Sequence, residues 1–251
     1  TNAVYGAVEF QRAAEAAGIR PVLGAHLVHG DEECVALALD ERGWGAICRA
    51  VTWIHWEDVG ASTNKLSDVL NTDRVGALIL SASIPFLTRI VSQSGPQDLY
   101  AELRPGKERH AVLAAARRLA LPPVVSNAVM FAHPEDWARH RLLRAIAMNT
   151  TLSSLESRCP AVQSSGHWLK PADELTRHFP DVPDALDRAG DLADRCRYRI
   201  PIGRIIPPRY AEATDALQQL RALTFQGALR RYGTIAPVTY NRLEHELRII
   251  G

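Results

Sequence analysis

The sequence predicts an α/β fold, and three observations predict it. Short apolar runs alternate with stretches of helical periodicity through the first 150 or so residues. The runs are apolar throughout instead of every second residue, as expected of strands covered on both faces. Apolar residues make up 47% of the 251, enough for a sizeable core and too many for a disordered chain.

The elements follow in order. Residues 4–17 are rich in Ala and Glu at helical spacing and stop at Gly18, a residue suited to a left-handed helix end. Residues 19–25 read as a short buried strand and 34–39 as a second, before a polar turn at 40–43. A helix over 45–56, a strand over 75–82 and a helix over 85–93 come next. A strand over 99–103, an Ala/Arg helix over 107–120, a strand over 123–130 and a helix over 134–149 complete this part. The last helix starts at Pro134 with acids in its first turn, as the helix dipole favours. The alternation argues for βα units and a parallel sheet, closed into a barrel or left open and doubly wound. After residue 150 the pattern becomes helical. One helix opens over 169–175 and another covers 183–196. A Pro-containing connector runs over 200–208, a long helix over 211–231 and an amphipathic helix over 238–250. The domain boundary falls near 200–210, where prolines break the periodicity.

The net charge is +1, so nucleic-acid affinity is not written on the whole chain. It is uneven, however. Residues 195–251 hold ten arginines and no lysine against Glu212, Asp215, Glu244 and Glu246. That surplus suits either a solvated helical surface or a nucleic-acid-facing tail. Cys34, Cys48, Cys159 and Cys196 form no CxxC pair, which argues against a zinc knuckle or disulfide framework and for a reduced, cytoplasmic setting. No signal pattern or membrane-length apolar run is present. The opening Thr1-Asn2-Ala3-Val4-Tyr5-Gly6 reads as the middle of a longer sequence, and upstream residues are expected.

No phosphate-binding loop, nucleophile elbow or HExxH motif occurs. Gly24-Ala25-His26 falls at the expected C-terminal end of a strand, where βα barrels place their chemistry. His26 is therefore a metal-ligand or base candidate, though taken alone it reads as a loop histidine. His55 lies near a helix end between Trp53 and Trp56, a setting that suits packing. Glu102, inside an apolar strand, needs a partner, and a salt bridge is the plainer explanation. His133, His140 and His167 look unclustered and superficial.

The order of short segments is more informative than any one motif. Val4-Tyr5-Gly6-Ala7-Val8-Glu9-Phe10 is followed by Gly18-Ile19-Arg20-Pro21-Val22-Leu23-Gly24, Leu99-Tyr100-Ala101-Glu102-Leu103 and Leu121-Pro122-Pro123-Val124-Val125-Ser126-Asn127. Then come Pro134-Glu135-Asp136, Phe179-Pro180-Asp181, Arg231-Tyr232-Gly233 and Arg242-Leu243-Glu244-His245-Glu246-Leu247. This series resembles the PHP (polymerase and histidinol phosphatase) domain and the start of the polymerase module in bacterial C-family DNA polymerases, either polymerase III alpha subunits or error-prone relatives. The resemblance implies an incomplete, distorted (βα)7 barrel lacking its first strands over residues 1–200. Residues 201–251 would be a connector and the first helices of the polymerase module. It implies a parent enzyme that extends DNA in replication or translesion synthesis with Mg2+. The partners it implies are the rest of that chain, DNA, the sliding clamp and other replisome subunits, and no membrane.

Departures from the family pattern imply that this segment is a scaffold. The His-x-His that precedes the family's Tyr-Gly-Ala-Val is not in this chain, and Thr1-Asn2 stand at its Asp-His. Asn127-Ala128-Val129-Met130 replaces Asn-Asp-x-His, which removes a carboxylate and an imidazole. Ala and Met are no substitutes as ligands for zinc or manganese. His26, His55, Ser83 and Asn127 remain as a vestigial pocket, with no catalytic residue, metal or cofactor expected here. Arg230, Arg231 and Arg242 are the nucleic-acid-facing candidates. The alternative reading is a metal-dependent PHP phosphoesterase or 3′–5′ exonuclease using His26, His55 and Glu102.

Overall fold

The computed structural model describes residues 1–56, 64–158, 165–205 and 215–250. The chain divides into two compact units, Thr1–Ile200 and Pro201–Gly251.

The first unit is α/β, built on an open five-stranded sheet in the order β1-β2-β3-β4-β5. The strands are β1 (Gly24–His29), β2 (Glu32–Ala38), β3 (Ala77–Ser81), β4 (Leu99–Leu103) and β5 (Pro123–Val125). β3, β4 and β5 run parallel, as βα units require. β1 and β2, however, form an antiparallel hairpin, and β2 is antiparallel to β3. The all-parallel expectation is thus corrected at one side of the sheet. The reason is a two-residue turn, Gly30-Asp31, with Gly30 at φ +60°, the backbone that a tight hairpin asks of its first central residue. No helix can fit between strands so joined.

Two predicted strands are also shifted or cut short. Residues 19–23 precede β1, which begins at Gly24, so His26 is in mid-strand and not at a strand end. The expected strand over 123–130 stops at Val125, because the chain turns at Ala128 (φ +45°), whose N–H is held by Ser126 Oγ at 3.3 Å.

Helices cover both faces. The helices α1 (Ala7–Ala16), α2 (Glu41–Trp56), α3 (Leu66–Thr72), α4 (Ile84–Ser94) and α5 (Arg109–Arg118) precede β5 or lie between strands. A 3-10 turn at Pro134–Asp136 leads into α6 (Trp137–Ala147), α7 (Leu152–Arg158), α8 (Ala172–His178) and α9 (Pro183–Arg195). Alternation along the strands sends Ala36, Ile79, Ala101 and Val125 into one core with Ile47, Ile54, Leu66, Phe86, Ile90 and Leu113. The opposite residues Leu78, Leu80 and Val124 meet Leu192 of α9. β3 is buried at every position, which is why its sequence shows no alternation. The helices α3 and α7 were not read from sequence, each being only 7 residues long.

In the second unit, α10 (Ala216–Tyr232) and α11 (Pro237–Ile250) form a helix pair. α10 begins later than the predicted residue 211, at an Asp215 cap whose carboxylate accepts from Gln218 N at 3.0 Å. Residues 211–214 lie outside the described residues. Arg221 and Glu244 pair across the two helices, and Phe225 packs on Tyr240 with ring centroids 5.2 Å apart. Among the described residues no helix is long and apolar enough to cross a membrane.

The start of α2 depends on an absent side chain. A Cβ at Gly43 would lie 1.7 Å from the carbonyl oxygen of Gly76, and Asp40 Oδ1 holds Gly43 N at 2.9 Å. Gly43→Ala is therefore expected to destabilise the first unit by about 1–3 kcal/mol. Urea unfolding followed by circular dichroism would measure the loss.

Candidate functional site

On the sheet face that carries Leu80 and Val124, the C-terminal ends of β3–β5 present charge. Glu33 of β2 and Glu102 of β4 point from this face, separated by β3. Between them lies Arg104, just past β4. Its Nη1 donates to Glu33 Oε1 at 2.9 Å. Its Nε and Nη2 both donate to Glu102 Oε2, at 3.0 and 2.7 Å. Ser126, following β5, donates its hydroxyl to the other oxygen of Glu102. Next to Glu33, Ser81 Oγ donates to its backbone carbonyl at 2.6 Å, and Ser83 N donates to Ser81 Oγ at 3.0 Å. Glu33, Glu102 and Arg104 border a cleft of about 870 Å³ that also touches Ser83, Lys107 and Arg109.

Glu102 is 3% exposed, so its carboxylate has little water and relies on Arg104 and Ser126. The salt-bridge reading of Glu102 from sequence agrees with this geometry. His26 Nε2 lies 3.8 Å from Glu33 Oε2, an ion-pair separation too long for a hydrogen bond. The His26 imidazole, and after it the Arg104 guanidinium, hold the Glu33 carboxyl down at about 2 against a burial that would raise it. Burial opposes the charge on Arg104, but its bonds to Glu102 and Glu33 outweigh that and its pKa is raised.

The four vestigial-pocket candidates do not converge on one point. Thr1 and Asn2 engage the two histidines. Thr1 Oγ1 lies 3.3 Å from His26 Nδ1, and His55 Nε2 donates to Asn2 O at 2.7 Å. Asn2, at φ +53°, also pairs its side chain with both backbone groups of Val28, at 2.8 and 2.9 Å. Ser83 caps α4, its Oγ accepting from Phe86 N at 3.4 Å. Asn127 turns away from the cleft and donates to the carbonyls of Gly166 and Trp168, at 3.1 and 2.7 Å. Among the described residues no group of three or more His, Cys, Asp or Glu side chains is arranged to hold a metal ion.

The other histidines are less isolated than the sequence suggested. His140 packs against Phe131 and Trp137 with centroids 5.5 and 6.0 Å apart, and burial lowers its pKa. His167 Nδ1 lies 3.1 Å from Asn127 O. Cys34, Cys48 and Cys196 are free thiols, and Cys159 lies outside the described residues. Of the arginine candidates, Arg242 is paired with Glu246 at 2.6 Å one turn on. Arg230 and Arg231 are exposed in the last turn of α10, where a cation suits the helix dipole.

Glu33, Arg104 and Ser126 were not singled out from sequence. One signal was available. Glu102 and Arg104 are two apart, so an extended backbone puts both on one face.

No family model matches the chain. Curated relatives do. The error-prone DNA polymerase of Symbiobacterium thermophilum is 28% identical over 99% of this chain and 26% of its own length. The DNA polymerase III subunit alpha of Bacillus subtilis is 24% identical over 99% of this chain and 24% of its own. The error-prone DNA polymerase of Nocardia farcinica is 29% identical over 92% of this chain and 21% of its own. Across nearly all of its residues the chain is similar to error-prone DNA polymerases and DNA polymerase III alpha subunits, and it spans about a quarter of the length of these relatives.

Two outcomes follow from the ionic cluster. Glu33 titrates lower in the folded chain than the 4.5 of a free side chain, so its contribution is complete above about pH 5 and fades as pH falls toward 2. Glu33→Gln should remove that part of the acid-side loss, about 1 kcal/mol once its partial exposure is allowed for, in urea titrations from pH 6 to 2.5. Arg104→Met strands the buried Glu102 and should cost about 3 kcal/mol at neutral pH. Adding Glu102→Gln should recover part of that cost, as a double-mutant cycle would show.

Proposed function

We propose that this chain is the non-catalytic, PHP-like N-terminal portion of a C-family DNA polymerase. Residues 1–200 form a structural PHP-type domain, and residues 201–251 lead into the polymerase module. A sheet with helices on both faces supports the α/β part of that reading. The parent enzyme would add deoxynucleotides to a primer, with Mg2+, in replication or translesion synthesis. Arg230, Arg231 and Arg242 would face nucleic acid on the way to that module.

The observation that carries the scaffold reading is Arg104, which bonds to both carboxylates of the cluster. A resident guanidinium neutralises the charges that would draw a divalent ion, and it occupies the space between them. The remaining donors do not fit a metal either. His55 Nε2 is tied to Asn2 O, the Asn127 amide is tied to Gly166 and Trp168, and His26 Nε2 faces Glu33, a carboxylate already bonded to Arg104. Among the described residues this arrangement favours a scaffold over metal-dependent phosphoester cleavage.

The test is direct. Purified protein should carry less than stoichiometric Zn2+ or Mn2+ by elemental analysis. Its melting temperature should not move with either ion. It should leave a labelled single-stranded 3′ end intact in Mn2+. Exonuclease turnover that disappears in the His26→Ala, His55→Ala double variant would sink the scaffold reading and favour the phosphoesterase alternative.

A further inference from the structure

One buried polar residue with no part in the ionic cluster is Gln11, 3% exposed on an otherwise Ala-rich helix. Its amide is complementary to one peptide residue. Gln11 Nε2 donates to Ile200 O at 3.1 Å, and Ile200 N donates to Gln11 Oε1 at 2.8 Å. The side chain thus treats Ile200 as a neighbouring strand would. The residues just before are fastened in the same way. Arg199 donates to Pro21 O at 3.0 Å and lies 3.4 Å from Glu15, and Tyr198 stacks on Trp44 with centroids 6.0 Å apart. Arg197 donates to Asp194 O at 2.9 Å. The fastening ends abruptly. Pro201 follows, which can donate no backbone bond, then Gly203 at φ +80°, and the exposed Arg204. The first compact unit ends at Ile200.

We infer that Gln11 is a latch that fixes where the chain leaves the first unit, so that backbone freedom begins at Pro201 and not at the end of α9. A buried amide is costly without partners, and a chain that swings must leave both hydrogen bonds unmade. The latch therefore resists peeling of residues 196–200 from α1 and α2. It works as a conformational stop independent of whether the first unit binds metal.

Brief trypsin digestion of the whole 251-residue chain, read by mass spectrometry of the first fragments, tests this. Arg195, Arg197, Arg199 and Arg204 place cleavable bonds on both sides of the latch. The wild type should be cut first after Arg204, with the bonds after Arg197 and Arg199 resistant. In Gln11→Ala those two bonds should be cut about tenfold faster, as expected from losing two hydrogen bonds of ordinary strength. In Gln11→Glu, which sets a buried carboxylate oxygen against Ile200 O, those bonds should be cut at least as fast as in Gln11→Ala. Cleavage of the wild type after Arg199 as fast as after Arg204 would refute the latch without any variant. So would an unchanged cutting pattern in Gln11→Ala with the sheet intact by circular dichroism. Should Gln11→Ala fail to fold, the wild-type pattern and Gln11→Glu decide.

Discussion

The first unit depends on how a sheet with helices on both faces closes off its charged end. Glu102 sits in a strand between apolar neighbours with almost no access to water, a position where an unpaired carboxylate would be costly. Arg104 solves this from two residues away and at the same time reaches Glu33 across β3, 71 residues earlier in the chain. One guanidinium thus ties strands that are not hydrogen-bonded to each other. The planar fork of an arginine can serve two carboxylates at once, which a lysine could not do with the same geometry. Ser126 extends the tie to the end of β5, so three strands, β2, β4 and β5, share one electrostatic system.

The same economy governs the arginine-rich end of the chain. Read as a string, it is a basic tail. In the folded protein several of its charges serve structure. Arg195 holds Asp98 and Tyr100, Arg199 holds the segment at Pro21, and Arg221 and Arg242 meet Glu244 and Glu246. Arg230 and Arg231 stay exposed at a helix end. The positive surplus is therefore concentrated at fewer places than composition suggests.

The parts of the fold legible from sequence are those set by local pattern. β4 lies where its apolar run predicted because it is short, central and bounded by polar turns. α9 follows from Pro183 and its periodicity. The hairpin was not legible, since Gly30-Asp31 interrupts a stretch in which His and Glu residues obscure strand alternation. The short α3 and α7 have too few turns to show a period. At the site, Glu102 stood out as a charge in an apolar run. The pairing of Glu33 with Arg104 could not be read, because it depends on the order of strands in the sheet, which no local pattern encodes. Asn127 was read as a pocket residue from its neighbours in sequence. The turn at Ala128 sends its amide to a different loop.

Asn2 has a consequence at the border of the sheet. β1 is an outer strand, and outer strands present unpaired peptide groups that can recruit a strand from another molecule. Along β1 the groups of Val28 are already engaged by the Asn2 carboxamide, and the carbonyl of His26 by the Asn2 backbone. A single side chain acts here as a surrogate peptide, capping the ladder. An intruding strand would have to displace three hydrogen bonds to pair along His26–Val28, so this stretch of the border resists fibril-like stacking.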